Sequence, residues 1–542
     1  LAAVGALRIL IIKPSKYDPD GWVERFRRGF MPNATVRYLA SLTPPEHAGL
    51  RCEVRAVDEY VETDLAYLDS LRAEPGTRTL LALTGVQSHQ FHRALDLAAY
   101  GVARGCLAVI GGPHPMTCDT AEVQGRGVAF ALSEAELVWR EILSDAARGE
   151  LAAVYGGARR WQERLETPVV TPPSRRDLSR YVVPMLGIYP ARGCPYSCNF
   201  CSVIKIAGHQ IRSQPIATTL ATLRLARDSG VRVALFTSDN FNKYPEAQDL
   251  LDAMASERIR LPFFVQCDTQ IERQPDLVAR LARAGCFQIF VGAESFSPEA
   301  LRSAHKLHNT PARYGEIVRL CREHRISSHF SNILGFPEDT EGSIRGQVET
   351  LRALSPDVAS FYILTPIPGT EQCDDFLARG WVTESNLDRF DGTTLTWTHP
   401  RLASDRLSRL LMDAYRDFYD WRTVARKAAA FGVGSRDFRT GQTLFAILGQ
   451  AALARLAARR GEHPMAGGVG RIRLDRAEDY RALRRRSFGL ELAALPRSLA
   501  LSPEDEAINR TRIPSRPLRG PTDGTGEVAP APSPPNWRRA PI

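Results

Sequence analysis

Two series of alternating segments constrain the fold of this 542-residue chain more than any other feature. In the first 150 residues, short apolar runs stand at 8–12, 53–57, 79–84, 106–112 and 128–132. Helix-like stretches, among them 89–104 and 134–148, lie between and after the later runs. Such alternation implies a parallel sheet with helices on both faces. Five strands predict an α/β, flavodoxin-like doubly wound domain over 1–150, with ligands at the carboxyl ends of its strands. The second series begins at Met185, with strands at 186–190, 231–237, 262–267, 286–292, 327–334 and 358–364. Its helices fall at 215–229, 245–257, 276–284, 298–306, 311–325 and 342–354. Six strand–helix units predict a partial (βα)6 barrel of TIM type over 186–400, with chemistry on the loops at the strand C-termini.

The segment 151–185, rich in Pro and Arg and without a period, reads as a linker. Residues 401–510 read as a helical C-terminal region, amphipathic with a period near 3.6 at its start. Within it, "TLFAILGQAALARLAARR" (443–460) is an apolar helix with a basic end. Packing on the barrel is the simpler expectation for it; peripheral docking on a membrane is the other. The tail 511–542, rich in Pro and Gly, is expected to be disordered. No internal repeat is found. The formal charge of +9 is partly carried by that tail and by the Arg-rich stretch 454–486. No nucleic-acid motif accompanies it, so a solvated basic surface is expected, not a nucleic-acid partner. The apolar start has no positive n-region, and no apolar run reaches the length of a membrane span, so a cytoplasmic protein is expected. In a reducing compartment its ten cysteines read as metal ligands plus buried thiols.

Directly after the first strand of the second series comes "ARGCPYSCNFCSV", which puts Cys194, Cys198 and Cys201 within eight residues. A structural zinc usually takes four ligands. Three thiolates on a four-iron cluster leave one iron with an open position for a substrate. A zinc site, with Cys267 folded in to complete it, and incidental buried thiols are the alternatives. Cys286, Cys321 and Cys373 read as ordinary buried or surface thiols, and the histidines of "SAHKLHN" (303–309) as helix-surface groups.

This loop, with the aromatic Phe200 before its last cysteine, resembles that of the radical S-adenosylmethionine superfamily. The resemblance implies a [4Fe-4S] cluster on Cys194, Cys198 and Cys201, with S-adenosylmethionine chelated at the open iron and cleaved reductively to a 5′-deoxyadenosyl radical. It implies Phe200 near the adenine and Ser238, Asp239 and Asn240, in "FTSDN", beside the methionine amino group. Glu294 and Ser295, in "VGAES", match the pair that reaches the ribose hydroxyls, since one carboxylate can accept from both. The other reading of these polar groups is ordinary strand-end caps. The loops "NILGFPEDT" (332–340) and "TPIPGTE" (365–371) fit the same pattern, with Gly335 and Gly369 allowing close backbone approach.

The first domain resembles the cobalamin-binding domain of cobalamin-dependent radical S-adenosylmethionine enzymes, through "LTGVQSHQ", "VIGGPHP" and "SEAELVWREIL" after its strands. The resemblance implies cobalamin contacts at Thr84, Gly85, Ser88, His89, Gly111, Gly112 and His114. The Asp-x-His-x-x-Gly signature is absent, so the cobalt is expected to lack a protein histidine, an arrangement that favours methyl transfer. A receiver-like or nucleotide-binding sheet is the alternative, but neither an acidic receiver cluster nor a G-x-G-x-x-G run is present. The function implied is C-methylation of an unactivated carbon of a small-molecule substrate, natural-product or lipid-like, with an external electron donor of flavodoxin or ferredoxin type. A cobalamin-dependent oxidative cyclase or rearrangement enzyme shares the same domains, and a zinc-stapled nucleic-acid-binding protein is a reading of another class. Gln266, Asp268, Tyr362 and Trp397 are the candidate substrate residues at the barrel mouth.

Overall fold

The protein's structure, a computed structural model, describes residues 4–432, 437–460, 463–464 and 467–510. The expected disordered tail, 511–542, lies outside the described residues.

The five strands of the first series form one parallel sheet in the order Leu50–Asp58, Ala6–Lys13, Thr77–Leu83, Leu107–Gly111, Ala129–Ala131. Alternate residues serve opposite faces, as the pleat requires. Leu10, Ile12, Leu81, Leu83, Ile110 and Phe130 pack with the helix Phe91–Val102. Leu7, Ile9, Ile11, Leu80, Ala82 and Val109 pack with the helices Ala34–Leu42 and Ala135–Arg148. The order 2-1-3-4-5 is the flavodoxin-like arrangement, whose crevice opens where the connections switch sides. Two short strands extend the edges: Glu46–His47, antiparallel, and Val154–Tyr155, parallel.

The second series forms six parallel strands in chain order: Met185–Ile188, Val233–Phe236, Phe263–Cys267, Cys286–Glu294, Ser327–Leu334 and Val358–Ile363. The sheet does not close, so its last strand has a free edge, a row of unpaired N–H and C=O groups. The helix Ser404–Phe418 and its C-terminal cap cover that edge with two tyrosines, Tyr415 and Tyr419. Ala359 N donates to the Tyr419 hydroxyl at 3.1 Å and its carbonyl accepts from it at 2.7 Å. Phe361 N and O make the same exchange with Tyr415, both at 3.0 Å.

The region 401–510, expected to be one helical unit, divides between the two sheets. Helices Ser404–Phe418, Trp421–Gly432 and Thr440–Arg460 pack on the barrel. The chain then returns to the first domain, where the strand Gly468–Ile472 pairs antiparallel with Arg25–Gly29 and the helix Ala477–Phe488 covers Phe91–Val102. A five-residue strand with two glycines carries no readable period, and its partner lies more than 400 residues earlier in the chain. Buried charges secure the return. Arg25 and Arg93 both pair with Glu59 and with Asp475. Burial would push the Glu59 pKa up, but the two guanidiniums hold it down to about 2.

The edge cover is testable. Replacing Tyr415 and Tyr419 together by Phe leaves the N–H groups of Ala359 and Phe361 buried without partners. The double variant is expected to lose about 2–4 kcal/mol of stability in urea unfolding; a loss below about 0.5 kcal/mol would show that the hydroxyls do not hold the edge.

Candidate active site

The cysteine loop is pinned at its base. Ala191–Arg192 pairs antiparallel with Arg212–Ser213, and Gly193 N donates to Asp239 Oδ2 at 2.8 Å. Cys194 N bonds to the Gly208 carbonyl at 3.1 Å and Cys201 N to the Cys198 carbonyl at 3.1 Å. Asn240 Nδ2 points at Cys194 Sγ, 3.7 Å away. Burial pushes all three thiols up to about 11, and each feels the charge of another, which places them as neighbours. Thiols in such surroundings stay protonated unless a cation compensates them, and a metal deprotonates them outright. Among the described residues, no three His, Cys, Asp or Glu side chains converge as they would on one metal ion. A cluster makes no such demand, because each thiolate takes its own iron. The donor set therefore fits a cluster with three protein ligands.

Glu294 ends the strand Cys286–Glu294 with φ +61°, a conformation that turns its carboxylate back over the barrel mouth. Lys306 Nζ donates to Glu294 Oε1 at 2.8 Å, and Ser331 Oγ donates to Oε2 at 3.3 Å. The same ammonium stands 5.8 Å above the Phe200 ring and is felt by Cys198 and Cys201. Lys306 thus joins the predicted Phe200, Glu294 and cysteines. It lies inside "SAHKLHN" (303–309), a segment in which the histidines are the more conspicuous groups. Its one sequence signal is its distance from Glu294, twelve residues, across a helix.

The other predicted residues divide. Ser238 Oγ is buried with no hydrogen-bond partner, a free group at the end of the second strand. Asp239 holds the cysteine loop, and Asn240 Oδ1 accepts from Asp268 N at 2.7 Å. Ser295 is fully buried and turned away, donating to Gln347 Oε1 at 3.2 Å and accepting from Ser297 N at 3.1 Å. Asp268 caps the turn Thr269–Arg273 and bonds Asn242, so it shapes the rim. Gln266 stays half-buried on the face of its strand opposite Val265 and Cys267, which lie in the strand–helix core. Tyr362 stacks on His463 with ring centroids 5.4 Å apart. Trp397 does not face the mouth. It is buried with Phe336, Leu364 and Phe376, and its Nε1 donates to the Leu364 carbonyl at 2.8 Å. A large apolar ring is held by the nearest core that can satisfy its one donor.

Above the first sheet lies a cavity of about 280 Å³, lined by Thr84, Gly85, Gly111 and Gly112 at strand ends and by Val138, Trp139 and Ile142 deeper in. Tyr189 and Arg192, from the base of the cysteine loop, and Asp239, which bonds to that base from the loop after the second barrel strand, complete its wall. Gly112 has φ +137°, and a Cβ there would meet Val86 N at 2.2 Å, so only glycine fits. Apolar walls below and a glycine rim above suit a flat heteroaromatic arm with a polar tail. Ser88, His89 and His114 do not line the cavity. His114 Nδ1 lies 3.0 Å from Ser88 Oγ, and its ring packs on Phe91 at 4.0 Å. Burial pushes His114 down to about 3, so it is neutral. Burial does the same to His89, beside Lys16 and Asp391. Ser88 and His114 turn into the core, whereas His89 stays half-buried at the start of the next helix; a loop position alone does not set these directions.

A buried ion network joins the two halves. Arg192 pairs with Glu134 at 3.1 Å and with Glu136 at 2.8 Å, and Arg212 pairs with Glu134 at 2.7 Å. The Arg192 guanidinium also sits between the Tyr38 and Tyr189 rings, 5.1 and 5.2 Å from their centroids. Both acids come from "SEAELVWREIL", read in sequence as the start of a helix, and both arginines flank the cysteine loop. Sequence alone does not show that they meet.

Residues 188–351 match the sequence model of the Radical SAM superfamily, so this part of the chain forms a radical S-adenosylmethionine domain. Among curated proteins, the chain is 26% identical over 336 residues to bacteriochlorophyllide d C-12(1)-methyltransferase of Chlorobaculum tepidum, covering 60% of this chain and 71% of that one. It is 24% identical over 407 residues to the C-8(2)-methyltransferase of the same organism, covering 71% and 85%. Among solved structures, the radical S-adenosylmethionine methyltransferase TsrM of Kitasatospora setae, with cobalamin and a [4Fe-4S] cluster bound, superposes with a TM-score of 0.57 at 17% identity, over 84% of this chain and 100% of that one. The two share a fold.

The ion network predicts a pH signature. Burial opposes ionisation of Glu134, but Arg192 and Arg212 hold its pKa below the usual carboxylate range. A depressed folded pKa adds stability above the unfolded value, about 4.3, and loses it as pH falls through the folded one. Glu134→Gln is expected to cost about 3 kcal/mol near neutral pH. That difference should shrink as pH drops below about 4, followed by urea unfolding across pH; a difference constant with pH would rule out the paired carboxylate as its source.

Proposed function

We propose that this chain, with its radical S-adenosylmethionine domain, is a cobalamin-dependent C-methyltransferase acting on a small molecule. The observation that carries the reading is shared walls. Arg192 and Asp239, which hold the base of the thiol loop, also line the cavity over the first sheet. A cluster on the three thiols and a corrin over that sheet would therefore face each other across the barrel mouth. Bound there, the cluster, S-adenosylmethionine and cobalamin supply reductive cleavage, hydrogen abstraction and methyl transfer; the protein supplies position and exclusion of water.

Each residue then has a task. Cys194, Cys198 and Cys201 hold the cluster, and Asn240 donates toward the Cys194 sulfur. Lys306 places a buried ammonium beside the thiol loop, where the carboxylate of S-adenosylmethionine would pair with it, while its hydrogen bond holds the Glu294 carboxylate in place for a ribose diol. Phe200 offers its ring face to the adenine. Gly85, Gly111 and Gly112 let backbone approach the corrin tail, and the apolar cavity takes its flat base. Neither His89 nor His114 reaches the cavity, so neither is placed to hold a corrin that would bind there. The substrate lies in the lumen near Gln266 and Tyr362, bounded by Phe264 and Phe290. Flat aromatic walls suit an extended apolar substrate, in keeping with relatives named for acting on bacteriochlorophyllide d. Electrons come from an external donor of flavodoxin or ferredoxin type.

Anaerobic incubation with both cofactors, a reductant, candidate substrates and methyl-labelled S-adenosylmethionine tests the reaction class. The expected product carries the label and gains one CH2 unit; a product that loses hydrogen without label would mean an oxidative cyclase. Cys198→Ala is expected to lose iron, sulfide and turnover yet retain cobalamin, whereas Gly112→Val loses cobalamin and retains iron. Loss of both cofactors in either variant would break the separation of the two sites. Lys306→Met is expected to weaken S-adenosylmethionine binding by about 10- to 100-fold with iron content unchanged; unchanged affinity would remove Lys306 from the site.

A further inference from the structure

The helices Trp421–Gly432 and Thr440–Arg460 pack against each other on the barrel. One side of Thr440–Arg460 is well used. Thr443, Ile447, Ala451 and Ala454 are buried, and Ala446 packs on the floor of the barrel with Met185, Val233 and Phe287. The opposite side is also apolar. Phe445, Leu448, Ala452 and Leu456 follow one another at helical spacing along an exposed face. With Trp421 beside them, the four large side chains are each 41–47% exposed. A helix apolar all round is normally buried all round, and a contiguous exposed apolar face marks a contact surface.

Charge identifies the partner. The two helices carry Arg422, Arg426, Arg455 and Arg459 outside the core and no Asp or Glu, whereas Lys427 is buried and donates to the Pro356 carbonyl. Arg455 lies over the Trp421 ring at 5.5 Å, which holds a cation at the rim of the apolar face. Arg426 and Lys427 also border a cleft of about 310 Å³ with Arg322 and Arg325, opposed by a single carboxylate, Asp357. Like charges would meet if this face paired with the same face of a second copy. An anionic surface with an apolar interior matches both features, with the aromatic and leucine side chains below the headgroups and the arginines level with them. No helix of the described residues is long and apolar enough to cross a membrane, so the contact is peripheral.

We propose that this helix pair docks the chain on a membrane surface rich in anionic phospholipid.

Flotation of the full-length protein with vesicles tests it. The protein is expected to float with mixed phosphatidylglycerol–phosphatidylcholine vesicles, less so as salt rises, and not with phosphatidylcholine alone. Leu448→Glu with Leu456→Glu is expected to reduce partitioning at least about tenfold, and Arg422→Glu with Arg459→Glu similarly, with melting temperatures unchanged because these side chains are exposed. Absent flotation, or equal flotation with neutral vesicles, would overturn the proposal. So would a dimer in light scattering that Leu448→Glu abolishes, since the face would then belong to a second copy.

Discussion

The contact between Glu134 and Glu136 of the first domain and Arg192 and Arg212 beside the thiol loop is the interaction on which the site depends. Each half alone has only part of the machinery: a glycine-rimmed crevice over one sheet, three thiols at the rim of another. The crevice becomes a cavity when Arg192, Tyr189 and Asp239 close its side. The ions that hold this closure are nearly water-free, so their attraction is strong and their loss costly. Buried ion pairs add little net stability over apolar contacts, but they are demanding in geometry. That suits an arrangement in which the glycine-rimmed crevice and the thiol loop must be held at one distance.

The chain reinforces this placement by crossing between the halves more than once. After three helices on the barrel, it returns to pair Gly468–Ile472 with Arg25–Gly29 and to cover Phe91–Val102 with Ala477–Phe488. The Arg25–Glu59–Arg93–Asp475 cluster ties that return to the first sheet. Gly369, from the loop after the last barrel strand, approaches Thr117 of the first domain so closely that a Cβ would stand 2.5 Å from its hydroxyl. The open barrel needs such support, since an unclosed sheet leaves an edge that Tyr415 and Tyr419 must satisfy from outside.

Residue by residue, legibility follows the range of the interaction. All eleven main strands lie where apolar runs predict them, because strand burial is written locally in residues such as "RILII" and "TLLALT". Cys194, Cys198, Cys201, Phe200 and Glu294 are legible for the same reason: the first four lie in one short motif and Glu294 ends a strand. Lys306 is not, because its meaning comes from facing Glu294 and Phe200 across the barrel mouth. Ser88, His89, His114 and Trp397 carry suggestive chemistry in suggestive places, but the direction of a side chain is set by packing. His114 turns inward to Ser88 and Phe91; Trp397 turns into a core that accepts its N–H.

Local pattern was enough for the two main runs of parallel strands, the loop with its three thiols and the glycine rim at Gly111–Gly112, because periodicity, spacing and backbone freedom are properties of neighbouring residues. Tertiary structure alone decided which polar groups face the cavity, that Glu134 and Arg192 meet, that the C-terminal segment belongs half to each sheet, and that Phe445, Leu448 and Leu456 remain uncovered. Those outcomes depend on which surfaces are left after the cores have formed, and no local pattern records that competition.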